Sequence, residues 1–548
     1  MKRPYKIVIS LMAMPALAAG VSACSASGGG QQPGISSANS IITAYTTEPQ
    51  TRLTPGTTNE NGGYRVLTML YSRLVSFDPQ GKAHNEVAQS IRTEKNNRRY
   101  TIKLKKGWKF SDGTPVTASS FTRSWSYTAN SANGQLTSSF FSIIKGYGDL
   151  QKKGISAHAQ LSGLKVVDKT TFTVDLTQPS QAFPVMVGYT AFSLLPQSFF
   201  ANPREFGEHP VGNGPYKFKS WTHNKQIEII KNPYYKGNFT VKNGGITFKI
   251  YTDPSSAYSD VEAGNLDVMD TVPVSALRTF QTDTTIKAYN KAGATTFGLR
   301  FAAGLKHFGA TTEGILRRKA VSLAINREKL TTKILAGAAT AATDFIAPGI
   351  PGHSSSIDRD KILSYNPVKA RKLWAQANAI SPWSPSDTII LSYNSDSGNK
   401  EVFDALANQL KNVLSVSVQT DPIATSSQFS DQIDKRTLKT IYKAGWIPDY
   451  PAAENYLKPL YSTSAAHGNG SNYSDYQNPH FDRLIDQAAL AKTTSKSIEF
   501  YQQAEKILLH QLPVVPLYYV NNYGVCTAGI GGFVIEWDAI PPYYQLTK

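Results

Sequence analysis

Cysteine is scarce in this chain: among 548 residues only Cys24 and Cys526 occur. Two cysteines make no disulfide framework. No C-x-x-C or H-E-x-x-H is present, and the nine histidines are scattered without ligand spacing, so no metal site is expected. The G-x-S-x-G elbow and the P-loop are missing as well. "GNGPY" at 212–216 has two glycines without the third that a dinucleotide fingerprint needs, and "SIIK" at 142–145 matches S-x-x-K without its partner motifs. These absences point to a protein that is not an enzyme and needs no cofactor. Beyond the first two dozen residues no apolar run is long enough to span a bilayer. Acidic residues are few, 39 against 57 Lys and Arg, for a net charge of +18. The cations are scattered, and the densest groups, "KNNRRY" at 95–100 and "LKKGWK" at 104–109, sit among strand-like apolar residues. That is a solvated basic surface, and no nucleic-acid partner is expected.

What is present is the composition of a folded chain, 41% hydrophobic and 18% charged, too long for one small core. Two or three lobes are expected. The 28 tyrosines suit either a wet binding cleft or strands with one face in water.

The start reads "MKRPYKIVISLMAMPALAAGVSACSASGGG". Lys2, Arg3 and Lys6 form a positive n-region, and residues 7–20 are apolar but short for a membrane span. "VSAC" then puts an aliphatic and two small residues before Cys24, which resembles the lipobox of bacterial lipoproteins. The resemblance implies a leader over 1–23, an acylated Cys24 at the mature N-terminus, and a tether over 24–40 with a flexible composition. Loss of the leader removes three positive charges and leaves +15. Cys526 then has no partner within the chain and is expected to be a small buried apolar residue.

Along the chain, "YTIKLKK" alternates Tyr100, Ile102 and Leu104 against Thr101, Lys103 and Lys105, the period of a half-buried strand. A turn at "SDGTP" follows, with Thr117 as cap of a helix that turns Phe121 and Trp125 to one side. Further strands are expected at "TFTVDLTQP", "QIEII", "GITFKIYTD" and "VVPLYYV". Helices are expected over "GILRRKAVSLAI", after Asn326, after Asn478 with Pro479 in the first turn, and over "KSIEFYQQAEKILLHQ". The pattern is mixed α and β.

Near the C-terminal third stands "AGWIPDYPAAENYL", in which Asp449 lies between Pro448 and Pro451 among aromatic residues. At a surface such an Asp helps form a turn. Partly buried, it needs a cationic partner.

Several stretches, in order, resemble the extracellular solute-binding proteins of peptide-importing ABC transporters, the oligopeptide and dipeptide binding family. They are "LYSRLVSFDPQGKAHNEVAQSI", "YTIKLKKGWKFSDGTPVTASSFTRSW", "GNGPYKFKSW", "EAGNLDVM", "RRKAVSLAINREKL", "AGWIPDYPAAENYL", "NYSDYQNPHFDRLIDQA" and "AEKILLHQLPVVPLYYVNN". Together they span nearly all of the mature chain. Ser119 and Ser120 depart from the family's usual acidic pair, and Asn326 from its usual Asp.

The resemblance implies an α/β clamp of periplasmic-binding-protein type, with hinge strands between two lobes and an extra subdomain. Lobe one would take 41–77, 208–295 and 505–548, the extra subdomain 78–207, and lobe two 296–504. It implies a monomer on the extracellular face of a bacterial membrane (periplasmic if an outer membrane is present), lipid-anchored, that binds peptides and passes them to ABC permease subunits. By the family's pattern Asp449 would hold the ligand's α-ammonium, and Gly445, Trp446 and Ile447 would offer a strand edge to its backbone. Trp446 and Tyr450 would wall the site, with Asn61 and Gly62 reaching it from lobe one. A same-fold receptor for a sugar, a metal chelate or a signalling peptide, and a secreted hydrolase, are the competing readings.

Overall fold

Alternation of apolar and polar residues produces the strands the sequence predicts. Tyr100, Ile102 and Leu104 are all buried in the strand Arg99–Leu104. They belong to the same core as Phe121 and Trp125 of the helix Ala118–Ala129, whose rings stack on and abut Phe172 of the strand Thr171–Asp175. Ser120 Oγ accepts from the Thr117 N–H at 3.2 Å and helps close that helix start. Asn326 and Asn478 cap their helices as expected, Asn478 Oδ1 accepting from His480 and Phe481 N–H at 2.9 and 3.1 Å.

This computed structural model describes residues 37–58 and 60–548. The leader, Cys24 and the tether as far as residue 36 lie outside the described residues.

An 11-stranded sheet forms the frame. Its middle is a pair of long antiparallel strands, Ile286–Phe301 and Val514–Thr527. On one side follow Val268–Met269, Ile41–Thr46, Gly245–Ile250, Gln226–Lys231 and Tyr216–Thr222. On the other follow Ile441–Trp446, Thr388–Asn394 and Ser417–Ile423, and off this path Ala339–Ala341 pairs with Val514–Thr527. The long pair therefore connects both halves, and its register breaks between Ala292 and Thr296. A separate four-stranded sheet is built from Ala88–Glu94, Arg99–Leu104, Thr171–Asp175 and Leu164–Asp168. Mixed strands and helices make the class α/β. Cys526 is a fully buried, unpaired thiol in the long strand Val514–Thr527, and burial holds its ionisation up to about 12. It packs as an apolar residue.

The region of the small sheet is tied to the helical half. Asn97, in the left-handed conformation (φ 61°), donates from its amide to the carbonyls of Ala489 and Ala491, both at 2.9 Å. Asn tolerates that backbone geometry better than most residues. Gln181 adds a bond to Thr494 Oγ1 at 2.9 Å.

Candidate functional site

The strand Ile441–Trp446 pairs along its whole length with Thr296–Phe301 on one side. On its other side only Ile441 and Tyr442 have strand partners, Leu391 and Ser392. From Lys443 to Trp446 that edge has no strand partner among the described residues. An open edge carries unpaired N–H and C=O groups ready to accept another strand. Gly445 stands there exposed, and Ile447, just beyond, is 73% exposed.

The chain then turns through Pro448 and enters the helix Ala453–Tyr461. Asn455 of that helix organises the turn. Its Oδ1 accepts from the Asp449 backbone N–H at 3.0 Å and from the Trp446 indole at 3.3 Å. Its amide donates to Asp449 Oδ2 at 3.4 Å. Asn455 is buried, so this bracket is fixed from beneath.

Asp449 itself is half-buried. Burial raises its carboxyl above the ordinary range, and the bond from Asn455 only partly offsets this. No Lys, Arg or His pairs with it among the described residues. Nor does it cap the helix, whose flanking residue is Ala452. The Asp449 charge also contributes, after burial, to the raised ionisation of Tyr189, a residue of another part of the chain.

Asp449, Ile447, Trp446 and Gly445 share the lining of one cavity of about 710 Å³ with Lys443 and Arg300. Tyr450 is not part of that lining. It is turned into the core, 5% exposed, with its hydroxyl on Glu454 Oε2 at 2.5 Å. The Asn455 bracket holds Asp449 at the cavity, while the bond to Glu454 holds Tyr450 in the core. Asn61 and Gly62 also lie apart from the lining. They open the helix Asn61–Leu70, where the Gly62 N–H donates to the Glu60 carboxylate at 2.6 Å. A Cβ on Gly62 would come within 2.6 Å of the Thr47 carbonyl, so close packing explains that glycine.

The same helix carries Tyr64, whose hydroxyl donates to Asp538 Oδ2 at 3.2 Å. Burial pushes Asp538 up to about 6 and Glu536 well above the carboxylate range. Neither acid stands out in the sequence, because a charged residue near a chain end reads as surface. Between them Trp537 meets Phe77 edge-on at 5.5 Å. At Gly81, which has φ +75°, a Cβ would lie 2.8 Å from Pro451, so the 78–81 turn sits directly against the Asp449 segment.

The description "Bacterial extracellular solute-binding proteins, family 5 Middle" matches residues 82–468. Oligopeptide-binding protein OppA of Bacillus subtilis (strain 168) is 24% identical over 503 residues, 89% of either chain. The fold is similar to the unliganded open form of MppA, a periplasmic murein tripeptide-binding protein, at TM-score 0.80 and 22% identity, covering 92% of this chain and 96% of that one. It is similar, at TM-score 0.67 and 22% identity, to Haemophilus influenzae OppA in complex with RPPGFSPFR, covering 93% and 99%. The architecture is that of two-lobed periplasmic binding proteins.

Proposed function

Because the chain belongs to the bacterial extracellular solute-binding proteins of family 5, a family of binding proteins rather than enzymes, we propose that it captures peptides between two lobes and delivers them to an ABC importer. Relatives named for oligopeptide and dipeptide binding support this reading. The observation that carries it is Asp449: a half-buried carboxylate with no cationic partner among the described residues, at the end of a strand edge that is unpaired among them. A peptide supplies both missing partners. Its α-ammonium pairs with Asp449, and its backbone adds to Lys443–Ile447. Backbone pairing is indifferent to side chains, so it suits a receptor for many sequences. Trp446 forms part of the wall.

In this reading lobe one comprises 41–77, 208–295 and 505–548, lobe two 296–504, and the extra subdomain 78–207. The long strands Ile286–Phe301 and Val514–Thr527 act as the hinge. The ligand shifts the balance toward the closed state by fitting it better. Saturating peptide is expected to lower the radius of gyration in small-angle scattering and to change Trp446 fluorescence. Superimposable scattering curves with and without peptide would contradict the clamp.

The protein is held at the outer face of the membrane through acylated Cys24, as a monomer that docks to permease subunits. Buried acyl chains contribute about 0.8 kcal/mol per methylene, and two chains give stable attachment. Cys24→Ala is expected to leave the protein unprocessed or shed from the membrane, with peptide affinity of the soluble part unchanged. Full recovery of this variant in the detergent phase of a partition assay would rule the anchor out.

A further inference from the structure

Opposite residues of an antiparallel pair project to the same face of a sheet. Three such pairs line up here: Thr296 with Trp446, Gly298 with Ala444, and Arg300 with Tyr442. The middle pair is the smallest, so a trough runs over Gly298 and Ala444. Trp446 stands at one end and Arg300 at the other, four residues or about 13 Å along the strand. All six residues but Gly298 line the cavity that Asp449 also lines, so the trough opens into it.

Arg300 is 5% exposed, yet no carboxylate pairs with it among the described residues. Its Nε is buried without a hydrogen-bond partner. Its polar contacts among the described residues are the Ser471 carbonyl, 3.3 Å from Nη1, the face of Tyr473 at 5.3 Å, and the Tyr442 hydroxyl. Arg436 lies over the same ring at 5.2 Å, but its charge is met by Asp475 at 3.3 Å. Two other buried arginines that lack a carboxylate are satisfied otherwise. Arg318 donates to the carbonyls of Gln511, Phe308 and Gly309. Arg327 donates to those of Pro516, Ser322 and Leu363. Asp344, which lines a small void that Arg300 also borders, is occupied by the N–H groups of Phe345 and Ser354. A buried guanidinium with an idle donor is costly unless something fills its place.

We infer that Arg300 is an anion-recognising subsite of the ligand cavity, which takes a carboxylate carried by the bound peptide. The inference rests on the peptide reading and narrows it: the preferred ligand is a free-amine peptide with a carboxylate about three to four extended residues from the Trp446 end. Two sources share that chemistry. One is an acidic side chain, since alternate side chains of an added strand project over Ala444. The other is the ligand's own C-terminus. Arg suits either, because its planar fork meets a carboxylate with two parallel bonds.

The test is calorimetric titration with peptides of two to five alanines. Glu or Gln is placed at each position in turn, and every peptide is made as free acid and as C-terminal amide. Wild type is expected to prefer one Glu peptide over its Gln counterpart, or one free acid over its amide, about ten- to a hundredfold. The first outcome identifies a side chain and the second the C-terminus. Arg300→Gln should abolish that preference, so that it binds the carboxylate peptide no better than the neutral one, and Arg300→Lys should keep part of it. Measurable binding of the neutral peptide also shows that the variant is folded. If Arg300→Gln fails to fold, Arg300→Lys decides, since loss of its preference relative to wild type supports the subsite and an unchanged preference overturns it. Peptide binding without discrimination for any carboxylate overturns the inference and leaves peptide capture standing. No binding of any peptide overturns both.

Discussion

Asp449→Asn is expected to bind a free-amine peptide about ten- to a hundredfold more weakly than wild type. The substitution keeps the shape and the Asn455 bracket but removes the charge. A hydrogen bond to a charged group contributes about 1.5–3 kcal/mol, which corresponds to that loss. Asp449→Ala should cost more, because the enclosed ammonium would be left without any acceptor. The control is an N-acetylated peptide: wild type should bind it poorly, and Asp449→Asn should lose little further. Such non-additivity marks a direct contact. Equal weakening of free and acetylated peptides in calorimetry would make Asp449 a turn residue. The raised carboxyl adds a pH signature. Between the ordinary carboxylate range and the raised folded value, the empty folded protein holds a proton that the unfolded chain releases. Stability of the empty protein therefore falls as pH rises through that window, and Asp449→Asn should remove the fall. Peptide affinity runs the opposite way, weakening as pH drops and the carboxylate is protonated.

Arg65→Met is expected to destabilise the protein by about 3–5 kcal/mol, the usual cost of removing one partner of a buried ion pair. Arg65 donates from Nε and from Nη2 to the two oxygens of Asp270, at 2.6 and 2.9 Å. The Arg side chain is 7% exposed and the Asp side chain is fully buried. Arg65 belongs to the helix Asn61–Leu70 and Asp270 directly follows the strand Val268–Met269, so the pair pins a helix to the large sheet. Without the guanidinium, Asp270 would be a bare charge in the core. Arg65→Met with Asp270→Leu should recover much of the loss, since no charge is then left unpaired. Chemical denaturation of the two single variants and the double variant reads this out. A double variant as unstable as the sum of the singles would show that the pair does not act as a unit.

Much of the frame was legible in the sequence because its causes are local. Tyr100, Ile102 and Leu104 predict a strand by a two-residue period, and Asn478 with Pro479 predicts a helix start, whatever lies far away. The order of motifs from residue 70 onward pointed to the family without any knowledge of contacts. Asp449 was legible as a residue of interest, since an acid between prolines and aromatics is unusual.

Other features depended on which side chains the folded chain brings together. Tyr450 sits next to Asp449 yet turns into the core, because Glu454 one helical turn on accepts its hydroxyl. Asn455, which holds both Asp449 and Trp446, reads in sequence as one more polar helix residue. Arg300 reads as a strand residue with its side chain in water, until Ser471 and Tyr473, some 170 residues later, close over it. By itself the sequence determined the elements and the family, because periodicity, caps and motif order act over a few residues. Only the tertiary structure decided which charges are buried and which lack a partner, because desolvation and pairing depend on what distant segments bring alongside.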